Sequence, residues 1–583
     1  MCQQEKNVFK NIYYSSAIEF MKIPGNPVAY WLSQKAFDVF ENRDGLVGEL
    51  ARSEGKNVTT NNAKFVRFHW EVNKNKIGSF DKDWLPCAMG GEYRKWYGNI
   101  INVIDWSLET RLFYKSAPAG RIIREEFWSL PGITWGKIGS GAASFRFLSS
   151  NEMYQETAIL QNSESESIYL LALLNSKVAN YFLQFLSPTV NFQLEDISSI
   201  PTFNMDNIKN KIEEKTKKII SITKEDWNSN EQARRFCNLE LLDTVYKNIF
   251  LRFSYESFFS HKRELTLKMR RLEVENNRIF IDAYVLQDEL TPDVPLHEIT
   301  LTCNPYYRYS GDLTDQDREH RLQSDTIAEL VSYAIGCMMG RYSLDHEGLI
   351  YAHAGNEGFT ELVANDAYQT FPADEDGIIP LTDQEWFKDD ATNLFRDFIK
   401  TAWSEGHLQE NLDFVAESLC LHAIKPKKGE SSLETVRRYL STQFYKDHLK
   451  TYKKRPIYWL FSSGKQKAFE CLVYLHRYNE GTLSRMRTEY VTPLLGKYAA
   501  YAEQLEKQQD SAGSTAEANR LKKELTALQK KQAELREFDD KLKHYADMRI
   551  SLDLDDGVKV NYGKFGDLLA NVKDITGSAP EVN

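Results

Sequence analysis

What this sequence lacks narrows the field before any motif is read. It has no GxxxxGK(S/T) phosphate loop, no HExxH and no GxSxG, so the short signatures of nucleotide hydrolysis, zinc proteolysis and serine acyl transfer are absent. Seven cysteines (Cys2, Cys87, Cys237, Cys303, Cys337, Cys420, Cys471) are odd in number and include no CxxC pair. That pattern excludes a disulfide framework and a zinc site and fits free thiols in a reducing compartment. The eleven histidines form no ligand cluster. No apolar run approaches the roughly 18 residues of a spanning helix, and the polar start does not read as a signal peptide. The expected location is the cytoplasm, with no membrane partner. An excess of positive charge is also missing: 73 Lys plus Arg stand against 83 Asp plus Glu, a net charge of −10. A uniformly basic nucleic-acid coat is excluded, whereas a local basic groove is not.

What is present is a chain of 583 residues, 42% hydrophobic and 13% aromatic, enough for ordinary cores in roughly three or four domains. Residues 1–44 read as a lead-in segment with a helical AYWLSQKAFDVFE. Residues 45–146 alternate apolar and polar residues in short runs between glycine turns, as half-buried strands do. They hold 15 Lys plus Arg against 10 Asp plus Glu, so positive charge is concentrated there. Residues 147–205 turn acidic, and SIYLLALLNSKVANYFLQFL predicts one apolar-faced helix with Leu170, Leu171, Leu174, Val178, Tyr181 and Phe182 inward. Residues 206–370 read as a helical or mixed connecting domain. Its KNKIEEKTKKIISITKEDW run predicts a solvated charged helix, and DTIAELVSYAIGCMMG a buried one.

Charge then segregates. Residues 371–420 hold 3 basic and 12 acidic groups, while residues 421–480 hold 13 basic and 5 acidic. KTYKKRP, with Arg437, Arg438 and Lys446, suits either a second phosphate contact or docking on the acidic stretch, the second being favoured. This acidic-then-basic domain spans 371–483. Leucines at heptad spacing on either side of SAGS predict an antiparallel coiled-coil hairpin over 484–550, as a bracing element or a partner-binding arm. Residues 551–583 form a short end segment and a disordered tail. The fold class is therefore α+β: a mixed domain of short strands with a supporting helix, then mostly helical domains and the hairpin.

Two stretches carry recognition chemistry. TTNNAKFVR sets Thr60, Asn61 and Asn62 on a loop ahead of a strand, where they could pair with base edges while Lys64 and Arg67 reach phosphates. An Asn-rich turn leading into a strand accounts for it equally well. GGEYRKWYGN lines up Arg94, Lys95, Trp96 and Tyr97, suited to stacking and phosphate contact or to an edge strand with a buried Trp. Two further motifs point to packing. GSGAAS at residues 139–144 lacks the acidic residue a cofactor loop needs. Asn304-Pro305-Tyr306-Tyr307 resembles the Asn-Pro-Pro-Tyr motif of amino-group DNA methyltransferases, but Tyr306 replaces the second proline, and a turn with aromatic packing is the favoured reading.

Taken together, IPGNPVAYWLS, NNAKFVRFHWEV, GGEYRKWYGN, DELTP, SYAIGCMMGRYSLD and RPIYWLFSSGK resemble, in order, the C-terminal half of the PglX family. These are adenine-specific (N6) DNA methyltransferases of bacteriophage-exclusion (BREX) defence. The resemblance implies an S-adenosylmethionine-binding catalytic domain that would precede this chain, so no catalytic or cofactor-binding residue is carried over, and the chain alone is expected to be inactive. It implies double-stranded DNA as partner, besides a separate methyltransferase domain and other BREX proteins. Target recognition falls to residues 45–205. Lys64, Arg67, Arg94, Lys95, Arg121 and Arg124 would contact phosphates, with Trp96 and Tyr97 beside them, and Thr60, Asn61, Asn62 and Asn191 would read bases. The alternative is a protein–protein scaffold acting through the acidic segment and the hairpin.

Overall fold

The structure, a computed structural model, describes residues 15–53, 55–138, 141–155, 158–189 and 191–578. Cys2, the polar start, the first two residues of GSGAAS and the last five residues of the tail lie outside the described residues. The chain forms an α+β arrangement of many helices and small sheets. It divides into two compact units, one built from Met1–Val66, Ile77–Asn228 and His261–Ser310, the other from Arg67–Lys76, Ser229–Ser260 and Gly311–Asn583.

In the first unit Gly132–Trp135 is the centre of a three-stranded antiparallel sheet, paired with Phe145–Leu148 on one side and Ala158–Leu160 on the other. A second sheet pairs Trp84–Ala88 antiparallel to Asn102–Asp105 and parallel to Met153–Tyr154. Trp84–Ala88, Gly132–Trp135 and Phe145–Leu148 are buried at every position, polar Thr134 and Arg146 included, whereas the alternating pattern predicted half-buried strands. The one helix expected over 167–186 is two, Glu164–Leu174 and Lys177–Leu186. The break has one local cause and one distant one. Ser176 caps the second helix by accepting from the Ala179 amide, and Asn175 turns inward to pair like a strand with both Phe145 backbone groups (3.1 and 3.0 Å). The six inward residues expected there lie in the core or against it.

Lys209–Asn228 is helical as its charge pattern predicts, with Lys218 and Glu214 in an exposed pair of 2.7 Å. Asp226 is the exception on that helix and is fully buried. The helix Leu251–Ala283 enters this unit at His261.

In the second unit the buried helix is Asp315–Met338, opened by a Thr314–Asp317 capping box. A three-stranded antiparallel sheet runs Ile378–Pro380, Glu470–Tyr474, Tyr458–Ser462. Thr492–Asp510 and Thr515–Asp547 form a helical hairpin joined at Ser511–Ser514, with Leu494, Tyr498, Leu505, Leu521 and Leu528 between its arms. Its base is fixed to the body of the unit. Glu534 accepts from the Ser463 hydroxyl (2.8 Å) and the Gln466 amide (2.7 Å), and Asp539 holds Arg487 at 2.8 and 3.0 Å. At the base, at least, the hairpin is a brace.

One carboxyl here is held against its charge. Burial, with Asp376 close by, pushes Asp374 up to about 8. Its folded value exceeds the unfolded one, so the neutral form stabilises the fold at low pH and that contribution is lost as pH rises through about 8. Asp374→Asn is expected to raise the melting temperature by several degrees at pH 9, at about 2–4 °C per kcal/mol recovered, and to leave it nearly unchanged at pH 4. Scanning fluorimetry at the two pH values checks this; an equal shift at both contradicts it.

Candidate nucleic-acid interface

The GGEYRKWYGN loop is buried, and this corrects its expected role. Arg94 is only 3% exposed. Its guanidinium donates to Asp226 Oδ2 (2.7 Å), Thr302 Oγ1 (3.0 Å) and the Tyr97 carbonyl (3.0 Å), and lies 4.9 Å from the Trp227 ring. Lys95 pairs with Glu273, whose other oxygen accepts from Trp96 Nε1 at 2.8 Å. Tyr97 is buried beside them. None of the four side chains faces solvent, because two carboxylates distant in sequence draw the cations inward. Burial opposes the charge on Asp226, yet Arg94 and the Thr302 and Cys303 amides hold its carboxyl below the usual range. Arg146, wholly buried between the Gly90 and Arg94 carbonyls, is pushed down to about 10 by burial, with Arg94 adding to the effect.

Arg67 needs the same correction. In the second unit it is buried and donates to the Asp555 and Asp556 carbonyls (both 3.1 Å). A Cβ at Gly557 would lie 2.5 Å from Arg67 Nε, so that position, with φ +79°, accepts only glycine. Asn191 is half-buried at an isolated bridge to Ile138, apart from the other candidates in the hydrogen-bonding pattern.

The remaining candidates do come together in the first unit. Val58 and Arg121 exchange backbone hydrogen bonds of 2.8 and 3.0 Å, which lays the loop before Thr60 along the segment after helix Leu108–Ser116. Phe65 packs 5.2 Å from the Phe113 ring and 5.3 Å from Tyr114, joining the turn to that helix. Thr60, Asn61, Asn62, Lys64, Arg121 and Arg124 are all exposed. Arg124 shares its charge with Glu126 at 2.9 Å, and the Arg121 guanidinium lies over Gly55, about 3.1 Å from where a Cβ would stand. Lys56, in the loop before Val58, and Leu112, Phe113 and Lys115, on helix Leu108–Ser116, are exposed as well. Sequence reading missed these four; the only signal was an apolar pair recurring along a helix whose core residues are Thr110 and Tyr114.

The turn itself is strained. Thr60 has φ +66°, a left-handed backbone that a β-branched residue rarely adopts. It is held by its neighbours: Thr59 Oγ1 donates to Asn62 Oδ1 (2.5 Å), and Asn61 Oδ1 caps the Lys64 amide (3.1 Å). Both asparagine oxygens are thus engaged locally.

In the described part of the GSGAAS run the Ala143 amide is bonded to Asn180 Oδ1, and just after it the Phe145 amide to Asn175 Oδ1, both at 3.1 Å. Asn304 is fully buried, accepting from the Tyr306 amide (3.1 Å) and donating to the Leu296 and Ile299 carbonyls (both 2.8 Å). With Tyr307 bonded to the Tyr93 carbonyl at 2.6 Å, this quartet is a packed turn, as favoured. Among the described residues no group of three His, Cys, Asp or Glu could hold a metal ion, and no helix is long and apolar enough to cross a membrane.

No family model matches the chain. It is 48% identical over 587 residues to the adenine-specific methyltransferase BrxX of Escherichia coli O9:H4 (strain HS), covering 99% of this chain and 47% of that protein. It is 34% identical over 578 residues to the adenine-specific methyltransferase PglX of Lacticaseibacillus casei (strain Zhang), covering 95% of this chain and 45% of that protein. The chain is thus similar, along nearly its whole length, to proteins named as adenine-specific methyltransferases, and spans about half the length of the curated relatives it matches.

Proposed function

We propose that the first unit binds double-stranded DNA through the face built from Thr60, Asn61, Asn62, Lys64 and Arg121, and selects the target of an adenine-specific methyl transfer in bacteriophage-exclusion defence. The observation that carries the reading is the strained, exposed Thr60 turn beside a cluster of cations. Backbone strain at a non-glycine surface residue persists where surroundings enforce it, and it concentrates at functional positions. Lys64, Arg121 and Arg124, with Lys56 and Lys115, would contact phosphates. The Asn61 and Asn62 amides are donors suited to the acceptor edges of the major groove, purine N7, guanine O6 and thymine O4. Methyl transfer, with S-adenosylmethionine as donor, would fall to a separate methyltransferase domain, because Asn304 is spent inside a turn. The relatives' names as adenine-specific methyltransferases support the reaction class.

The test is fluorescence anisotropy of a labelled duplex with the full chain. Three to five phosphate contacts predict that affinity falls about 40- to 500-fold between 50 and 200 mM salt. No binding at 50 mM salt overturns the reading.

A further inference from the structure

The basic segment of the second unit divides into two kinds of residue. Arg437 is consumed by Asp390 (2.6 Å) and the Thr382 carbonyl (3.2 Å), and Arg438 by Glu430 (2.6 Å). The first of these is the docking on the acidic stretch that the sequence favours. Lys453 and Lys454 are different. Both are exposed, among the described residues neither is in an ion pair, and they stand in consecutive left-handed conformations, φ +49° and +57°.

The turn is held from several sides. The Lys453 and Lys454 amides close onto the Lys450 (3.2 Å) and Leu449 (2.8 Å) carbonyls. Arg455 donates to the Lys454 carbonyl (2.8 Å) and the Ile575 carbonyl (3.3 Å), and its own carbonyl accepts from the buried Trp70 Nε1 (3.0 Å). The Ile575 contact sets the turn against helix Val572–Thr576, which carries the exposed Lys573. A Cβ at Gly577, the residue closing that helix, would lie 3.8 Å from the Nζ of the exposed Lys559. Nearby acids are turned elsewhere: Asp447 to Tyr439 and Gln443, Asp555 to Lys76, Asp574 to Asn571.

A helix that ends in the left-handed region takes glycine or asparagine there without strain. A favourable interaction of a cation with the helix C-terminus would account for a lysine nearby, but not for two in strained positions with their ammonium groups in solvent. We propose that this lysine turn, with Lys559 and Lys573, is a second binding site for the phosphate backbone of duplex DNA, independent of sequence. The proposal rests on the DNA-binding reading of this chain and adds a contact outside its base-reading face.

The discriminating variant is Lys453→Gly combined with Lys454→Gly, because glycine suits the backbone and removes only the charges. On a random-sequence duplex of 30 base pairs, wild type and variant are compared by anisotropy over a salt series and by melting temperature. The expected result is an unchanged or higher melting temperature, affinity about ten-fold weaker at 50 mM salt, and a slope of log affinity against log salt that is shallower by about 2. Unchanged affinity and slope overturn the proposal. Lys64→Glu with Arg121→Glu in the same assay separates the two readings. If that variant alone weakens binding, the lysine turn is not a site; if only the glycine variant does, the face around Thr60 is not one.

Discussion

Replacing Glu273 with alanine is expected to destabilise the first unit by about 3–5 kcal/mol, the cost of leaving a buried charge without its partner. Glu273 is buried and engages two groups at once, the Lys95 ammonium and Trp96 Nε1. Alanine strands both donors where water cannot replace the carboxylate. Trp96 adds to the cost, because its left-handed backbone, φ +72°, is held in place by these contacts. At about 2–4 °C per kcal/mol, the apparent melting temperature should fall by about 10 °C. A second variant separates charge from packing. Lys95→Met with Glu273→Gln removes both charges and keeps an acceptor for the indole, so it should recover most of the loss. Chemical denaturation of the three proteins checks this. A Glu273→Ala protein within about 1 kcal/mol of wild type would contradict the structural role given to the GGEYRKWYGN loop.

That loop also shows where sequence reading stops. Arg, Lys, Trp and Tyr side by side describe a phosphate-binding surface and a buried ion-pair network equally well. What decides between them is the position of Asp226 and Glu273, 132 and 178 residues away from the cations they hold. Asp226 was hidden in a helix whose charge pattern reads as solvated, although Glu213 on it is buried too. Arg67 failed for the same reason, since its acceptors are the carbonyls of Asp555 and Asp556 at the other end of the chain. Locally determined features were legible. The apolar run DTIAELVSYAIGCMMG predicted a buried helix, and the apolar spacing on either side of Ser511–Ser514 two helical arms; helices Asp315–Met338, Thr492–Asp510 and Thr515–Asp547 stand there. TTNN was legible as a polar turn because its hydrogen bonds close within six residues, although Thr59 is buried and only Thr60, Asn61 and Asn62 are exposed. The break at Asn175 was not legible, because it depends on pairing with Phe145 thirty residues earlier.

Reversing two charges on the exposed face should have the largest effect on binding. Lys64 and Arg121 are brought to the same surface by the Val58–Arg121 ladder and by the packing of Phe65 on Phe113. Both are exposed, and Lys64 rests 5.0 Å from the Phe65 ring. Substituting glutamate at such positions leaves the core intact, and the melting temperature should stay within about 2 °C. A charge-assisted contact to phosphate contributes about 1.5–3 kcal/mol, and like-charge repulsion adds to the loss of two. Affinity for duplex DNA should therefore fall by about 100-fold or more at 50 mM salt. Phosphate contacts act on every sequence, so cognate and random duplexes should weaken alike, whereas Asn61 and Asn62 should matter only on the cognate site. The most direct test is the dissociation constant of Lys64→Glu/Arg121→Glu against wild type on one duplex at 50 mM salt, with the melting temperature measured alongside. A folded variant that binds about 100-fold more weakly is the predicted result, and a folded variant that binds as wild type does would contradict the central claim.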